Sequence, residues 1–272
     1  MKNVACAVLA FDRPYYFIEV LNSLKTNTLA NEIDWYFFVD GPVTKNGVKI
    51  ANADSIQRTV ELIKWASTNS FKQKCFTFIS KYNMGIAKQK QSAHKLFEDY
   101  EQVLFFEDDM LVSPYYIQLL LNMQNQFPDD MVYAPARALS HIHPDARLNH
   151  VIDMTEHLWG YSMRREAFLK IKDDFDAYCE DTGDCYKQRD NNLLIKKYDL
   201  GKISSHDSMI EKTLKRKGIR KICTTVPRGF YIGESGLHQT KQGYDDAGYA
   251  KVKNFVFQDD LDLTEFELLE IP

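Results

Sequence analysis

The sequence predicts an α/β protein built on a mixed, mainly parallel sheet flanked by helices, and three observations carry that prediction. Apolar runs of strand length alternate with longer stretches of helical spacing, the strand runs are apolar throughout, and several of them stop abruptly at Asp or Glu. A strand that is apolar on both faces must be covered on both faces, as parallel strands joined by crossover helices are.

Each element follows from its own pattern. "NVACAVLAF" (3 to 11) is the first strand, and "YYFIEVLNSLKTN" (15 to 27) follows with apolar residues at helical spacing. "DWYFFVDG" is a second strand ending in Asp40 and Gly41, and "ADSIQRTVELIKWAST" is a helix. "CFTFIS" is a third strand, "GIAKQKQSAHKLFEDY" a helix and "QVLFFEDD" a fourth strand. The second half is less regular. "MVYAPAR" and "HLWGYSM" read as strands and "RREAFLKIKDDF" as a helix, while the polar stretch from 173 to 202 reads as a loop or lid holding a helical turn. "SSHDSMIEKTLKRKG" has a serine start and Gly218 as its stop, and the strand "RKICTTV" comes after it.

With 272 residues, of which 44% are hydrophobic and 13% aromatic, the chain can bury the core of one large domain. No repeat or low-complexity linker divides it. The expected organisation is a donor-binding half over 1–125, a catalytic and acceptor-binding half over 126–240, and an extension over 241–272. A net charge of −4 gives no general basic surface for duplex nucleic acid. No apolar run approaches the ~20 residues of a membrane span, and "MKNVACAVLAFDRPYY" lacks the pattern of a signal peptide, so a cytoplasmic location is expected. The cysteines, at 6, 75, 179, 185 and 223, are odd in number and lack zinc-ribbon spacing, which suits reduced thiols; Cys179 with Cys185 is the one pairing considered.

In sheets of this kind ligands sit outside the carboxyl ends of the strands. That rule gathers Asp12 and Arg13, then Asp40, Asn83 and the triplet Glu107, Asp108 and Asp109 along one edge. Adjacent carboxylates past a strand are often a solvated turn. Held together at a buried strand end they favour Mn²⁺ or Mg²⁺, which would neutralise them and grip a substrate diphosphate.

The order "CAVLAFDRP", "FFVDG", "YNMGIAKQ", "VLFFEDDMLVSPYY", "LWGYSMRREAF", "SHDSMIEKTLKRKGIR" and "GESGLHQ" resembles the GT-A nucleotide-sugar glycosyltransferases over roughly residues 3 to 240. It is most similar to inverting transferases of the N-acetylglucosaminyltransferase I type, and more distantly to the large family 2. The resemblance implies a GT-A, Rossmann-like fold with an acceptor-side C-terminal elaboration. It implies that "EDD" stands for the DXD-type motif, with Asp109 as the metal ligand and Glu107 and Asp108 nearer the nucleoside. Asp12, Arg13 and Asp40 would contact base and ribose, joined by Asn83 and Lys88 in binding the nucleotide sugar.

Ser204 and Asp207 have capping-box spacing, which gives Asp207 a purely structural reading. The resemblance instead makes Asp207 the general base that deprotonates an acceptor hydroxyl, with His206 in place of the usual Glu. Glu180, Asp181 and Asp184 are rival bases, read more simply as a solvated loop that meets the acceptor. His238 matches a C-terminal histidine that contacts metal or diphosphate in many relatives of this type. Lys241 and Arg228 are placed to neutralise the diphosphate. Trp159 and Gly160 match a loop bordering donor sugar and acceptor, where the glycine permits close approach and the indole stacks on a sugar. His141, His143 and His150 read as an acceptor-side loop rather than a metal cluster.

The function implied is transfer, with inversion, from a nucleotide diphosphate-sugar to an acceptor hydroxyl. UDP-GlcNAc, UDP-glucose and UDP-galactose fit as donors, with GDP- and TDP-sugars as further options. Acceptors span a glycan, a glycolipid, a protein or a modified nucleobase, in a bacterial cytosol or that of a virus-infected host. Two rivals stand beside this reading. A nucleotidyltransferase calls for a Gly-rich basic loop after the first strand, which "AFDRPYYF" lacks; a non-catalytic sugar- or protein-binding module of the same fold calls for failure to bind metal or donor.

Overall fold

In the computed structural model the described residues are 3–42, 44–45, 48–49, 53–134, 147–154, 159–182, 191–235, 240–252 and 262–270. Strand β1 (Val4–Ala10) is buried at every position, as its unbroken apolar run dictates. It lies between β2 (Asp34–Val39) and the later β6 (Gln102–Glu107), parallel to both. Helix α1 (Pro14–Lys25) opens on a proline, whose fixed φ suits a first turn, and buries Phe17, Val20, Leu21 and Leu24. A hairpin of β3 (Thr44–Lys45) and β4 (Val48–Lys49) precedes α2 (Ala53–Asn69). Strand β5 (Cys75–Ile79) pairs with β2 and ends the sheet, and α3 (Gly85–His94) returns the chain to β6.

The remaining strands complete a nine-stranded mixed sheet in the order β13-β9-β11-β8-β10-β6-β1-β2-β5. They are β8 (Met131–Tyr133), β9 (His150–Asp153), β10 (Tyr161–Arg164), β11 (Lys221–Thr224) and β13 (Glu267–Leu269). Most pairings are parallel, and β10 is the chief exception, antiparallel to both β6 and β8. A separate ribbon pairs β7 (Met110–Val112) with β12 (Gly229–Tyr231). Helix α4 (Tyr116–Gln126) packs on one face of the sheet, with α1 and α2 in the same apolar cluster. Helix α3 packs on the other face with α5 (Arg165–Thr182), α6 (Asn192–Tyr198) and α7 (His206–Arg216). Helix α8 (Lys241–Asp246) closes over the ribbon. No described helix is long and apolar enough to cross a membrane.

Two sequence expectations are corrected here. Residues 173–182 are helix rather than loop: α5 continues to Thr182 because Phe175, Tyr178 and Cys179 extend the buried stripe begun by Phe168 and Ile171, and the charged residues between them are its outer face. The strand in "HLWGYSM" starts only at Tyr161, with Gly160 turning into it at φ +58. Cys6, Cys75, Cys179 and Cys223 are free thiols; Cys185 lies outside the described residues.

Candidate active site

Register decides which side chains meet. Leu9 of β1 pairs with Glu107 of β6, so the residues after each strand, Phe11 to Arg13 and Asp108 to Asp109, emerge side by side. Asp108 accepts the Phe11 backbone N–H at 3.0 Å through Oδ2 and is paired with the Arg13 guanidinium through Oδ1. The same guanidinium reaches Asp109 Oδ2 at 2.8 Å. Burial works against the Arg13 charge, but the two carboxylates outweigh it and raise its pKa. Asp12 is raised by burial and by Asp108 beside it.

Asp109 keeps one oxygen without a partner. Its Oδ1 is buried and meets no hydrogen-bond donor, while Tyr231 of β12 bonds the carboxyl and Ile232 N–H donates to its backbone oxygen at 2.8 Å. Burial lifts the Asp109 carboxyl to about 6 in spite of Arg13, and lifts Glu107 to about 8 in spite of Lys90. Among the described residues, the five carboxylates Asp12, Glu107, Asp108, Asp109 and Asp207 are faced by Arg13 and Lys90, with Lys221, itself paired with Glu211, acting on Asp207 from further off.

That excess negative charge and the bare oxygen fit a divalent cation. No group of three or more His, Cys, Asp or Glu among the described residues forms a closed metal cage. Such a cage is not needed, because Mg²⁺-type ions are commonly held by one or two carboxylates together with substrate phosphates. Asp109 is the residue placed to supply that carboxylate.

The facing part of the site is built on α7. Its N-cap is Ser205, whose hydroxyl accepts the Ser208 N–H at 3.1 Å, and not Ser204, which instead accepts from Asn191. Asp207 is therefore relieved of capping, which corrects the capping-box reading. His206 Nε2 lies 2.8 Å from Asp207 Oδ1, and Lys90 Nζ stands 3.2 Å from the same ring nitrogen. Lys90 also approaches Glu107 at 3.6 Å and Asp207 at 3.9 Å. Burial alone would raise Asp207, but the charges of His206, Lys90 and Lys221 overcome it and hold the carboxyl well below the usual range.

Other expected residues land differently. Asp40 is buried at the start of α3, accepting N–H groups from Gly41, Asn83, Met84 and Gly85 at 2.8–2.9 Å. Asp40 and Asn83 thus pin the turn between β5 and α3, tightened by Gly41, where a Cβ would fall 2.5 Å from the Tyr82 backbone. Lys88 is close enough to Cys179 of α5 to be felt electrostatically, and it is Lys90, about 200° further round the helix, that reaches the triplet. Sequence reading missed Lys90. Its signal was the stripe Lys90, Ala93, His94 and Phe97, whose helical spacing puts the lysine on the buried face.

Arg228 does not face a diphosphate: it is fully buried and donates to Val226 and Leu148 carbonyls, tying down the chain before β9. Lys241 is engaged by Glu234 and Asp245 at the surface. Trp159 stacks on Tyr231 with centroids 4.1 Å apart, and Tyr249 leans on both rings. Gly160 is needed for interior packing, since a Cβ there would meet the Tyr116 hydroxyl at 2.8 Å. Asp181 pairs with Lys197, and Glu180 is exposed on α5. His150 belongs to the sheet, bridging to Glu267 of β13 at 3.4 Å, which corrects its placement in an acceptor loop. His141, His143, Asp184 and His238 lie outside the described residues.

With this geometry established, solved structures are informative. The chain superposes on Staphylococcus aureus TarS, residues 1–349, with a TM-score of 0.50 at 13% identity, over 85% of this chain and 61% of that one. It superposes on GalNAc-T7 crystallised with UDP, GalNAc and Mn²⁺ with a TM-score of 0.51 at 9% identity, over 84% of this chain and 43% of that one. The fold is GT-A. No family model and no curated protein sequence matches the chain.

Proposed function

We propose that this GT-A domain is a metal-dependent glycosyltransferase that moves a sugar from a nucleotide diphosphate-sugar, a UDP-sugar by preference, to an acceptor hydroxyl with inversion. The observation that carries the reading is the pairing of two unlike carboxylates across one strand end. Asp109 has a buried bare oxygen and an excess of negative charge around it; Asp207 is ionised and free of capping duty on the facing helix. The GalNAc-T7 structure, which holds UDP, GalNAc and Mn²⁺ in the same fold, supports the donor class and the metal.

Residues 1–125 supply the donor half and 126–240 the acceptor half, with 241–272 as an extension. Asp109 would hold Mn²⁺ or Mg²⁺ with the diphosphate, and the ion would neutralise charge on the departing nucleotide. Arg13 engages Asp108 Oδ1 and Asp109 Oδ2, which leaves the buried Oδ1 of Asp109 unpaired. Asp12 and Glu107 sit on the nucleoside side of that centre. Asp207 takes the proton of the acceptor hydroxyl as the new C–O bond forms and the bond to the diphosphate oxygen breaks, the electron pair leaving with the nucleotide. Trp159, braced by Tyr231, borders the sugar.

The test is a UDP-sugar panel with and without Mn²⁺, reading nucleotide release by wild type, Asp109→Ala and Asp207→Ala, with UDP binding measured alongside. Metal-dependent release lost in both variants, with binding kept only in Asp207→Ala, supports the assignment. Failure of the folded wild type to bind UDP or any UDP-sugar overturns it.

A further inference from the structure

The two halves of the site meet at one buried lysine. Lys90, 1% exposed, projects from α3 into a space walled by three other elements. Its ammonium stands 3.6 Å from Glu107 Oε1 on β6, 3.9 Å from Asp207 Oδ1 and 3.2 Å from His206 Nε2 on α7, and 5.4 Å from the centre of the Tyr161 ring on β10. Other titratable groups among the described residues at this place are Lys221 of β11 and Glu211, one turn along α7, which pair with each other at 2.9 Å, and buried His94, one turn along α3, which feels the charge of both Lys90 and His206.

Glu107 on β6 and Asp207 on α7 face the same ammonium from opposite elements. Lys90 is the cation common to both. His206 adds a second constraint: its Nε2 can donate to Asp207 or accept from Lys90, and cannot do both in one protonation state. Where Lys90 points therefore decides which partner the imidazole serves.

We propose that Lys90 is a positioning residue for the base: it holds the Asp207 carboxylate in place beside His206 and sets the orientation of that ring, so that Asp207 receives the acceptor proton. This rests on the transferase reading above. Lys90 touches no reacting atom, and its work is electrostatic and orientational.

The test compares Lys90→Met, Lys90→Arg and wild type, with Lys90→Gln replacing the methionine variant should that one fail to fold. Two readouts are taken: UDP binding with Mn²⁺ by calorimetry, and the pH profile of nucleotide release from the UDP-sugar that the wild type uses. The expected result is UDP affinity within about threefold of wild type, release slowed about 100-fold in Lys90→Met, and its acid limb moved up by about one pH unit, with Lys90→Arg restoring most of the limb. A wild-type rate and acid limb in Lys90→Met overturns the inference and leaves the transferase reading standing. A wild type that neither binds UDP nor releases it from any sugar overturns both.

Discussion

Asp109 is buried and Asp207, on the facing helix, is about one-third exposed, and the chain treats the two carboxylates oppositely. Asp109 is pushed up to about 6, and its neighbour Glu107 to about 8, because burial outweighs the single cation near each. Asp207 is pushed down, because His206, Lys90 and Lys221 together outweigh its burial. The difference bears on the division of labour proposed above. Asp207 is balanced by nearby cations as folded, whereas Asp109 and Glu107 are not, as expected of a centre that would acquire a metal with its substrate.

The largest expected effect breaks the comparison from both ends. Asp207→Asn, isosteric and uncharged, should slow sugar transfer by about 1,000-fold while leaving UDP binding near wild type. Asp109→Asn should weaken Mn²⁺-dependent UDP binding by roughly 10- to 100-fold, judged by calorimetry. If both variants lost binding equally, the division of labour would be wrong.

A smaller effect sharpens it through pH. Groups whose folded pKa is raised stabilise the fold below their unfolded pKa, and that contribution is lost as pH rises through the folded value. For Asp109 and Glu107 the loss runs from about pH 4 through 6 and on through 8. Metal-free protein should therefore melt several degrees lower at pH 8.5 than at pH 5.5, Mn²⁺ should reverse the fall, and Glu107→Gln should remove its upper part. Asp207, with a lowered pKa, works the other way: its contribution is present above its unfolded pKa and lost only in acid. Thermal scans across pH with and without Mn²⁺ read this directly, and a metal-free melting curve flat from pH 5.5 to 8.5 would remove the claim that the donor side lacks a cation.

The smallest effect concerns the cap. Ser205→Ala should cost about 1 kcal/mol of stability in a denaturant titration, with the pH profile of release unmoved, because Ser205 and not Asp207 holds the first turn of α7.

The parallel half of the fold was legible because β1 is buried at every position and β2 and β6 carry apolar runs buried at most of theirs. The triplet was legible because its three acids end a buried strand, where holding carboxylates together is costly unless a cation balances them. Strands β7, β9 and β13 were missed: they are three or four residues long, and β13 is largely exposed, so no periodicity has room to develop. Helix α4 was missed for the opposite reason, since Leu119, Leu120 and Leu121 in a row are buried on more than one side and blur its stripe. In the site, Arg13 was placed beside the triplet by strand-end logic alone. Lys90 was passed over for Lys88 because only the pitch of α3, followed through His94 to Phe97, separates the lysine that faces in from the one two residues earlier.

The ribbon of β7 and β12 gives the site a history as well as a shape. Asp109 leads into β7, and its carbonyl is held by Ile232, just past β12, so the wall behind the carboxylate comes from a segment made much later. Strand β10 likewise enters between β6 and β8, although it follows both in sequence. A growing chain thus displays its acidic triplet on an open sheet edge well before the residues that enclose it exist. The wall behind Asp109 is thus among the later segments to be synthesised, and a chain cut short before β12 would keep the acids without it.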